Sequence, residues 1–487
     1  MSLRIGDGDS PTANVPSSTR HQGQSTDPSL KTRLYDVLTR MYDLGFIGFG
    51  GPPVHIQILR RRFVDGKGGL PWMDEQTFQE LFVIAQSLPG PGSTKLLFTV
   101  AQVHAGVVPA LLAFLLWMLP GACVMYGLSL GIQRMGTTLP SSVYAFLSGL
   151  NAATVGGIAL SAVQLSRQAI TDPLTRALVL ISASAGLCYN ALWYYPVLII
   201  LGGFTTLLWD SRELLLKVFA GRSALPEPES STTTRQRDSN VDSLETLEEV
   251  HSRIDIAKYS PSVTLGMIVT ITLIVVFMVL LILRSTLKAP RHALAVFTNF
   301  YFAGTLIIGG GPVVTPLLRE YVVEPGWVSP RDFLLGLAII QALPGPNFNF
   351  AVYLGSLALA GHEFSIKTLL GAFLGALGIF SPGICLSIAT QSGWYLLRKQ
   401  PAVVRLLRGM NAIAVGLIFP AVYHLWQVGY LRPGQGGSVS LAEDPWWLAV
   451  AAITYTCVEW YGIPVPIAIV TGGIAGLAWW NVIGPFP

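Results

Sequence analysis

Apolar residues along this chain fall into long blocks separated by short polar runs. A helix needs about 20 mostly apolar residues to cross a bilayer, and by that measure the blocks predict about thirteen membrane segments. They lie near 40–59, 78–100, 104–132, 143–166, 174–190 and 191–209, then a lone 262–283, then 293–317, 333–359, 365–390, 403–428, 445–460 and 462–483. The expected fold is an all-α polytopic membrane protein. Residues 1–33 are Ser-, Thr-, Gly- and Pro-rich and read as a disordered tail. The run "GRSALPEPESSTTTRQRDSNVDSLETLEEVHSR" marks 212–260 as a polar, disordered linker. This divides the chain into a first repeat at 34–211, a linking helix at 261–288 and a second repeat at 289–487.

Two of the blocks are broken in the same way. "QSLPGPGSTKLLF" begins at Gln86 and "QALPGPNFNF" at Gln341. Upstream of each stands a glycine run ending in proline, "GFGGPP" at Gly48–Pro53 and "GGGP" at Gly309–Pro312. Pro52 matches Pro312 at an offset of 260, while Trp72, Phe78, Gln86 and Pro89 match Trp327, Phe333, Gln341 and Pro344 at 255. "LPGACVMYGLS" resembles "SPGICLSIA", and "GLNAATVGG" resembles "GMNAIAVGL", so the likeness spans both halves and indicates a duplication. Corresponding segments are seven apart in this count, which is odd. The halves are therefore expected to form an inverted repeat, with broken or re-entrant Pro-Gly helices in each.

Lipid supplies no hydrogen bonds, so broken backbone must be covered by protein or face a watery cavity. Each proline removes an N–H donor and stops the preceding helix, and glycine permits the turn. A half-helix starting after Pro91 presents the N–H groups of Gly92, Ser93 and Thr94 at its positive end, a natural anion site. Asn347 and Asn349 offer amide donors after the second break. Gly50, Gly51 and Pro52, with Gly310, Gly311 and Pro312, are placed to open two further half-helices. Lys95 lies one turn beyond Pro91 and can add a full positive charge; pairing with Glu80 or reaching an interface are its alternatives. His55 suits either anion contact or a structural role. Gln86 and Gln341 can donate to a substrate or cap the kinks. The candidate substrate-binding set is completed by Pro89, Gly90, Pro344, Gly345 and Pro346. Asn151 and Asn411 read as interhelix hydrogen-bonders, Glu459 as a solvated segment end, and Trp446, Trp447, Trp479 and Trp480 as interface anchors.

Composition agrees with this picture. Hydrophobic residues make up 51% of the 487 and charged residues 12%, against about 25% charged in soluble domains, and the mean hydropathy is +0.54. A net charge of +4 without a long basic run indicates no nucleic-acid partner. The four cysteines, Cys123, Cys188, Cys385 and Cys457, form no C-x-x-C pair and read as small buried side chains. No P-loop, H-E-x-x-H or Ser-His-Asp pattern is present, so the expectation is a gradient-driven protein with no metal or cofactor, and not an enzyme. The distribution of Lys and Arg places the N-terminus and the linker in the cytosol, of the plasma membrane in the first instance. That assignment puts Arg319 and Arg331 inside and leaves Arg60, Arg61, Arg62 and Lys67 outside; re-entry of the first two segments would explain the outlying group.

"FGGPPVHI", "AQSLPGPGST", "GGGPVVTPLL" and "QALPGPNFNFAVYLG" together resemble the chromate ion transporter family. The resemblance covers about 40–210 and 293–480 and implies export of chromate, with sulfate as a second tetrahedral dianion, across the lipid bilayer. A sulfate or other inorganic-anion carrier, or an anion channel built on the same half-helix site, is the alternative, and a homodimer is compatible with all of these. The chain departs from the family at Lys95, where glutamine is frequent, and in the extra "GKGG" of its first loop.

Overall fold

The computed structural model describes residues 28–49, 51–134, 140–189, 194–219, 259, 261–286, 292–306, 311–360, 366–397, 400–431 and 438–483. The first half runs α1 (Leu30–Met41), α2 (Leu44–Ile47), α3 (Pro52–Phe63), α4 (Glu75–Ser87), α5 (Gly92–Ala105), α6 (Val107–Arg134), α7 (Ser141–Ala169), α8 (Pro173–Cys188) and α9 (Tyr194–Phe219). α10 (Val263–Thr286) links the halves. The second runs α11 (His292–Leu306), α12 (Gly311–Val322), α13 (Pro330–Ala342), a 3-10 turn (Asn347–Asn349) into α14 (Phe350–Ala358), then α15 (Ile366–Leu397), α16 (Pro401–Gly416), α17 (Ile418–Val428), α18 (Pro445–Tyr461) and α19 (Val465–Ile483). Strands β1 (Tyr430–Leu431) and β2 (Ser438–Val439) pair antiparallel between α17 and α18.

The element order of the first half recurs in the second, with α16 and α17 together in the place of α7. Polar residues in the loops start the helices by accepting their first free N–H groups. Asp74 accepts from Thr77, Ser329 from Asp332, and Asp444 from Trp446. At α8, Asp172 and Thr175 form a reciprocal cap. Among the described residues six helical spans are long and apolar enough to cross a membrane, including 107–134, 263–286 and 366–393. The exposed side chains along α10 are mostly apolar (Ile268, Ile271, Ile274 and Met278 among them), as a lipid-facing helix requires.

Packing between the halves is reciprocal. α18 and α19 lie on α7, and α8 and α9 lie on α16. Glycines carry these contacts, because only a missing side chain lets two backbones approach so closely. A methyl on Gly149 would stand 2.2 Å from the Gly472 carbonyl, and one on Gly409 would stand 2.1 Å from the Gly202 carbonyl. Gly156 against Ala451 and Gly416 against Val179 repeat the relation one helical stretch further on. Asn151 donates to the Gly429 carbonyl at 3.0 Å, the expected interhelix role.

Several expectations are corrected. α1 begins at Leu30, inside the stretch read as a tail, and buries Val37 and Met41; residues 1–27, 220–258 and 260 lie outside the described residues. Trp447 and Trp479 are buried around Tyr430 and are core residues, not interface anchors. Glu459 is bound by Arg167 (2.8 Å) and Gln164 (3.0 Å), so it is tied to α7 and not merely solvated. None of the four cysteines is buried: Cys123 and Cys188 are exposed and the other two half-buried, all as free thiols. Their helices are apolar all round, so sequence alone does not separate an inward from a lipid-facing position.

These glycine contacts predict a sharp contrast. Gly149→Ala and Gly409→Ala should each destabilise the protein by about 1–3 kcal/mol through overpacking. Gly127→Ala and Gly131→Ala, where a methyl meets nothing within 4 Å, should leave it unchanged or slightly more stable. Thermal unfolding in detergent measures both.

Candidate functional site

The two Pro-Gly breaks fold alike. α4 ends at Leu88 (φ −92°, ψ 151°) and α13 at Leu343 (φ −90°, ψ 154°). Gly90 and Gly345 then take positive φ, 101° and 89°, which side chains rarely adopt. Pro91 and Pro346 follow in extended conformation and stand immediately before the next helical residue. The proline sits just outside the new helix, and α5 begins at Gly92. The upstream glycine runs do open helices: Gly51 (φ 76°) precedes α3, whose first residue is Pro52, and Gly311 and Pro312 begin α12. Gly50 and Gly310 lie outside the described residues.

Each break is received by the other half. A methyl on Gly90 would come within 2.9 Å of the Gly383 Cα in α15 and 3.5 Å of the Gly304 carbonyl in α11. Gly345 faces the carbonyls of Trp117 in α6 and Gly45 in α2, and Gly121 of α6 faces the Pro344 carbonyl. Gly121 and Gly383 follow Pro120 and Pro382, the prolines inside the long helices α6 and α15. The sequence comparison had paired these two Pro-Gly steps as part of the repeat without placing them at the site. Their matched positions were the available signal.

A chain of three hydrogen bonds joins the breaks. The Gly345 N–H donates to the Gly48 carbonyl at 2.8 Å. That carbonyl also accepts from His55 Nε2 at 2.9 Å, and His55 Nδ1 meets the Ser93 hydroxyl at 3.1 Å. A carbonyl only accepts, so Nε2 carries a proton and, in the neutral ring, Nδ1 accepts from Ser93. Both ring nitrogens are thus engaged and the ring is buried edge-on to Trp117. His55 therefore positions the two breaks.

Trp117 is the other shared element. Its Nε1 donates to Thr94 Oγ1 at 3.3 Å, and next to it Asn349 Nδ2 donates to the Met118 carbonyl at 2.9 Å. Asn349 Oδ1 is buried without a hydrogen-bond partner. At the second break Asn347 donates to Gln341 Oε1 at 3.2 Å; at the first, Gln86 Oε1 lies over Gly92, which has no side chain to return the bond. Pro89 and Pro344 are half-buried.

Lys95 is fully buried and donates to the Leu88 carbonyl. Its stem lies 3.5 Å from the Cβ position of Gly383. It neither pairs with Glu80 nor reaches an interface, and no described carboxylate forms an ion pair with it. The first N–H groups of α5 have no partner within their own helix. The arrangement therefore concentrates donors and one lysine where the two halves meet. Among the described residues no group of three or more His, Cys, Asp or Glu could hold a metal.

The profile of the family described as chromate transporter matches residues 35–207 and 294–477. The chain is 24% identical over 446 residues to a "Probable chromate transport protein" of Synechococcus elongatus, covering 90% of this chain and 93% of that one. It is 25% identical over 397 residues to the "Chromate transport protein" of Pseudomonas aeruginosa (80% and 81%) and 25% over 384 residues to that of Cupriavidus metallidurans (78% and 79%). No solved structure matches.

The glycines of the site differ in what they tolerate. At Gly51 a methyl meets open space, so Gly51→Ala should cost only the backbone strain, about 1 kcal/mol. At Gly90 strain and the contact with Gly383 add, and Gly90→Ala should cost roughly 2–5 kcal/mol. Chemical or thermal unfolding of the two variants checks the order.

Proposed function

The chain belongs to the chromate transporter family, and from that premise we propose that it is a secondary carrier exporting chromate, with sulfate as a competing dianion. It is a membrane transporter and not an enzyme. The observation that carries the reading is the joining of the two breaks by hydrogen bonds beside a buried lysine that has no carboxylate partner. Backbone N–H groups, the Thr94 hydroxyl, the second Nδ2 hydrogen of Asn349 and the Lys95 ammonium are the donors offered to the anion, while the Ser93 hydroxyl is held by His55. Such a cup recognises a tetrahedral dianion by charge and size, which chromate and sulfate share. Export suits the electrical force. A dianion leaving a negative interior gains about 4.6 kcal/mol per 100 mV.

The path of the chain supports an inverted repeat in which four of the thirteen predicted segments turn back. Arg62, at the end of α3, donates to both oxygens of Asp43, which follows α1. Arg40 of α1 reaches the Leu70 carbonyl in the next loop. The far end of α5 is at the same place: His104 meets Asp36 at 2.7 Å and stacks on Trp72 at 4.0 Å, and Arg33 donates to the Ala105 carbonyl at 2.8 Å. Hence α2–α3 and α4–α5 enter and leave by the face on which α1 lies. The second half repeats the relation, with His292 on the Ala358 carbonyl (2.7 Å) and edge-on to Trp327 (4.8 Å).

α10 connects the two sets of loops. Near its start Arg33 lies over the Tyr259 ring at 4.6 Å; near its end Arg284 lies 5.5 Å from the Tyr321 ring. Its 24 residues span about 36 Å, so the two sets belong to opposite faces. Nine passes then cross the bilayer: α6, α7, α8, α9, α10, α15, α16 with α17, α18 and α19. From α6 to α15 is five passes, an odd number, and the halves are inverted. Arg408 with Asp172 (2.7 Å) and Asp210 (2.8 Å) agrees, because all three fall on the face of α1. This path moves Arg60, Arg61, Arg62 and Lys67 to the N-terminal face and Arg319 and Arg331 to the other. Among the described residues the opposite face keeps Arg134, Arg284, Arg319, Arg331 and Lys367, against Lys31, Arg33, Arg40, Arg60, Arg61, Arg62, Lys67, Arg167, Arg176, Arg212, Arg405 and Arg408 on the N-terminal face. The N-terminal face is therefore cytosolic.

Purified protein in liposomes should take up labelled chromate saturably, with inhibition by sulfate. Lys95→Ala should weaken chromate affinity about tenfold or more, the worth of one charged hydrogen bond. Current that rises without saturation would instead indicate a channel. For the path, single cysteines placed at Lys67 and Thr171 in a cysteine-free background should label from one side of the membrane and one at Glu324 from the other. Labelling of Lys67→Cys and Glu324→Cys from the same side would refute the folded-back arrangement.

A further inference from the structure

The long helices α6 and α15 match one another, and each has a face turned away from the breaks. On α15 that face is covered by α10. Gly266 of α10 comes so close that a methyl on it would overlap the Ser392 side chain and stand 3.0 Å from the Ala389 carbonyl. Tyr301 of α11 forms the other wall. Its hydroxyl donates to the Leu273 carbonyl of α10 at 3.3 Å, and the residue is only 5% exposed. The linking helix is thus seated in a groove between α15 and α11, through one glycine and one tyrosine.

The first half has the matching groove, and no described residue fills it. Pro120 and Pro382 align α6 with α15 at an offset of 262, which sets Cys123, Gly127 and Gly131 where Cys385, Ala389 and Gly393 stand. Gly45 and Gly304 pack on these helices at or just before the prolines. They align the flanking helices at an offset of 259, which sets Tyr42 where Tyr301 stands. Tyr42 is 59% exposed, and its hydroxyl has no hydrogen bond among the described residues. Cys123, Gly127 and Gly131 are exposed, whereas Cys385, Ala389 and Gly393 are half-buried. A methyl on Gly127 or Gly131 meets nothing within 4 Å. The three residues are four apart and share one face, and Leu115 and Leu119, also exposed, extend the stripe. No charged residue interrupts it before Arg134, the last of α6. Glycine weakens a helix relative to alanine, and in a monomer no close contact offsets that here. Small residues at every fourth position are how membrane helices bring their backbones together.

We propose that this groove seats a second copy of the chain, in a two-fold dimer whose central contact is α6 on α6. A helix of this same chain fills the matching groove, and the described residues hold one linking helix for two grooves. The stripe is uncharged and complementary to itself, as a two-fold contact requires. Gly127 and Gly131 of each copy receive the backbone of the other, and each Tyr42 faces the other copy's α6 as Tyr301 faces α10. The opposite face of α6 carries Trp117 and Gly121, which receive the second break. α10 braces α15 behind Gly383, and the second copy gives α6 the same support.

The test uses the full chain in phosphatidylcholine vesicles at a high ratio of lipid to protein, so neither readout depends on transport. With Cys123 as the only cysteine, a short bismaleimide should join two copies, and single-molecule photobleaching should count two chains per particle. A chain that keeps only Cys188, also exposed but on α8, should stay unjoined. Gly127→Leu with Gly131→Leu adds bulk where the monomer has open space. That variant should fold with unchanged helical content, while its dimerisation weakens about tenfold or more. Tyr42→Ala should weaken it by a smaller factor. Wild type that is monomeric in the bilayer, bare or with lipid held on α6, would overturn the proposal. So would a dimer joined through Cys188 and not Cys123, or one that survives both leucines.

Discussion

The structure depends on one constraint: backbone opened inside lipid must find its hydrogen bonds within the protein. The Gly345 N–H is freed by the second break, and it is met by the Gly48 carbonyl of the first half at 2.8 Å. Gly90, in the first break, is seated against Gly383 and Gly304 of the second. Each opening leans on the other half, although the Leu88 carbonyl of the first is met by Lys95 of its own half. An unmet peptide group in hydrocarbon costs several kcal/mol, which outweighs any single packing contact. The interlocking of the halves is therefore a condition for having the breaks at all. The glycine contacts of α7 with α19 and of α16 with α9 hold the same embrace at its periphery.

Within that shared backbone the side chains differ, and the difference places the chemistry. Gly92, Ser93, Thr94 and Lys95 follow the first break; Asn347, Phe348, Asn349 and Phe350 follow the second. The first supplies hydroxyls and a charge. The second supplies amides and rings, and one amide hydrogen of Asn349 is spent on the Met118 carbonyl, near Pro120 of α6. Under the proposed function, one lysine against two amides gives the anion site a strong side and a weak side.

The helices and the repeated Gly-Pro motifs were legible because apolar length and proline are local signals. The direction of a segment was not. Residues 40–59 and 78–100 have the apolar length of a full crossing, yet their course is decided by Arg62 finding Asp43 and His104 finding Asp36 and Trp72. These partners are distant in sequence. Basic residues carry a trace of the proposed path, since the cluster Arg60–Arg62 falls on the N-terminal face only if α3 turns back. Trp447, Trp479 and Glu459 were misread for the same reason. Their burial and pairing come from Tyr430, Arg167 and Gln164, and no window around them contains those residues. The start of α1 was hidden differently: Lys31, Arg33 and Asp36 give it a polar composition, while Val37 and Met41 alone form the stripe it buries.

Lys95 links the energetics of the site to the membrane. Insertion of a lysine at the bilayer centre costs about 2.5–3.5 kcal/mol, and the cost is tolerated where a partner offsets it. Among the described residues that partner is the Leu88 carbonyl, a dipole. Under the proposed function a dianion is the stronger partner, and the charge on the lysine and the binding of the anion favour one another. The electrical work follows from the same relation. A dianion moving alone draws about 4.6 kcal/mol per 100 mV.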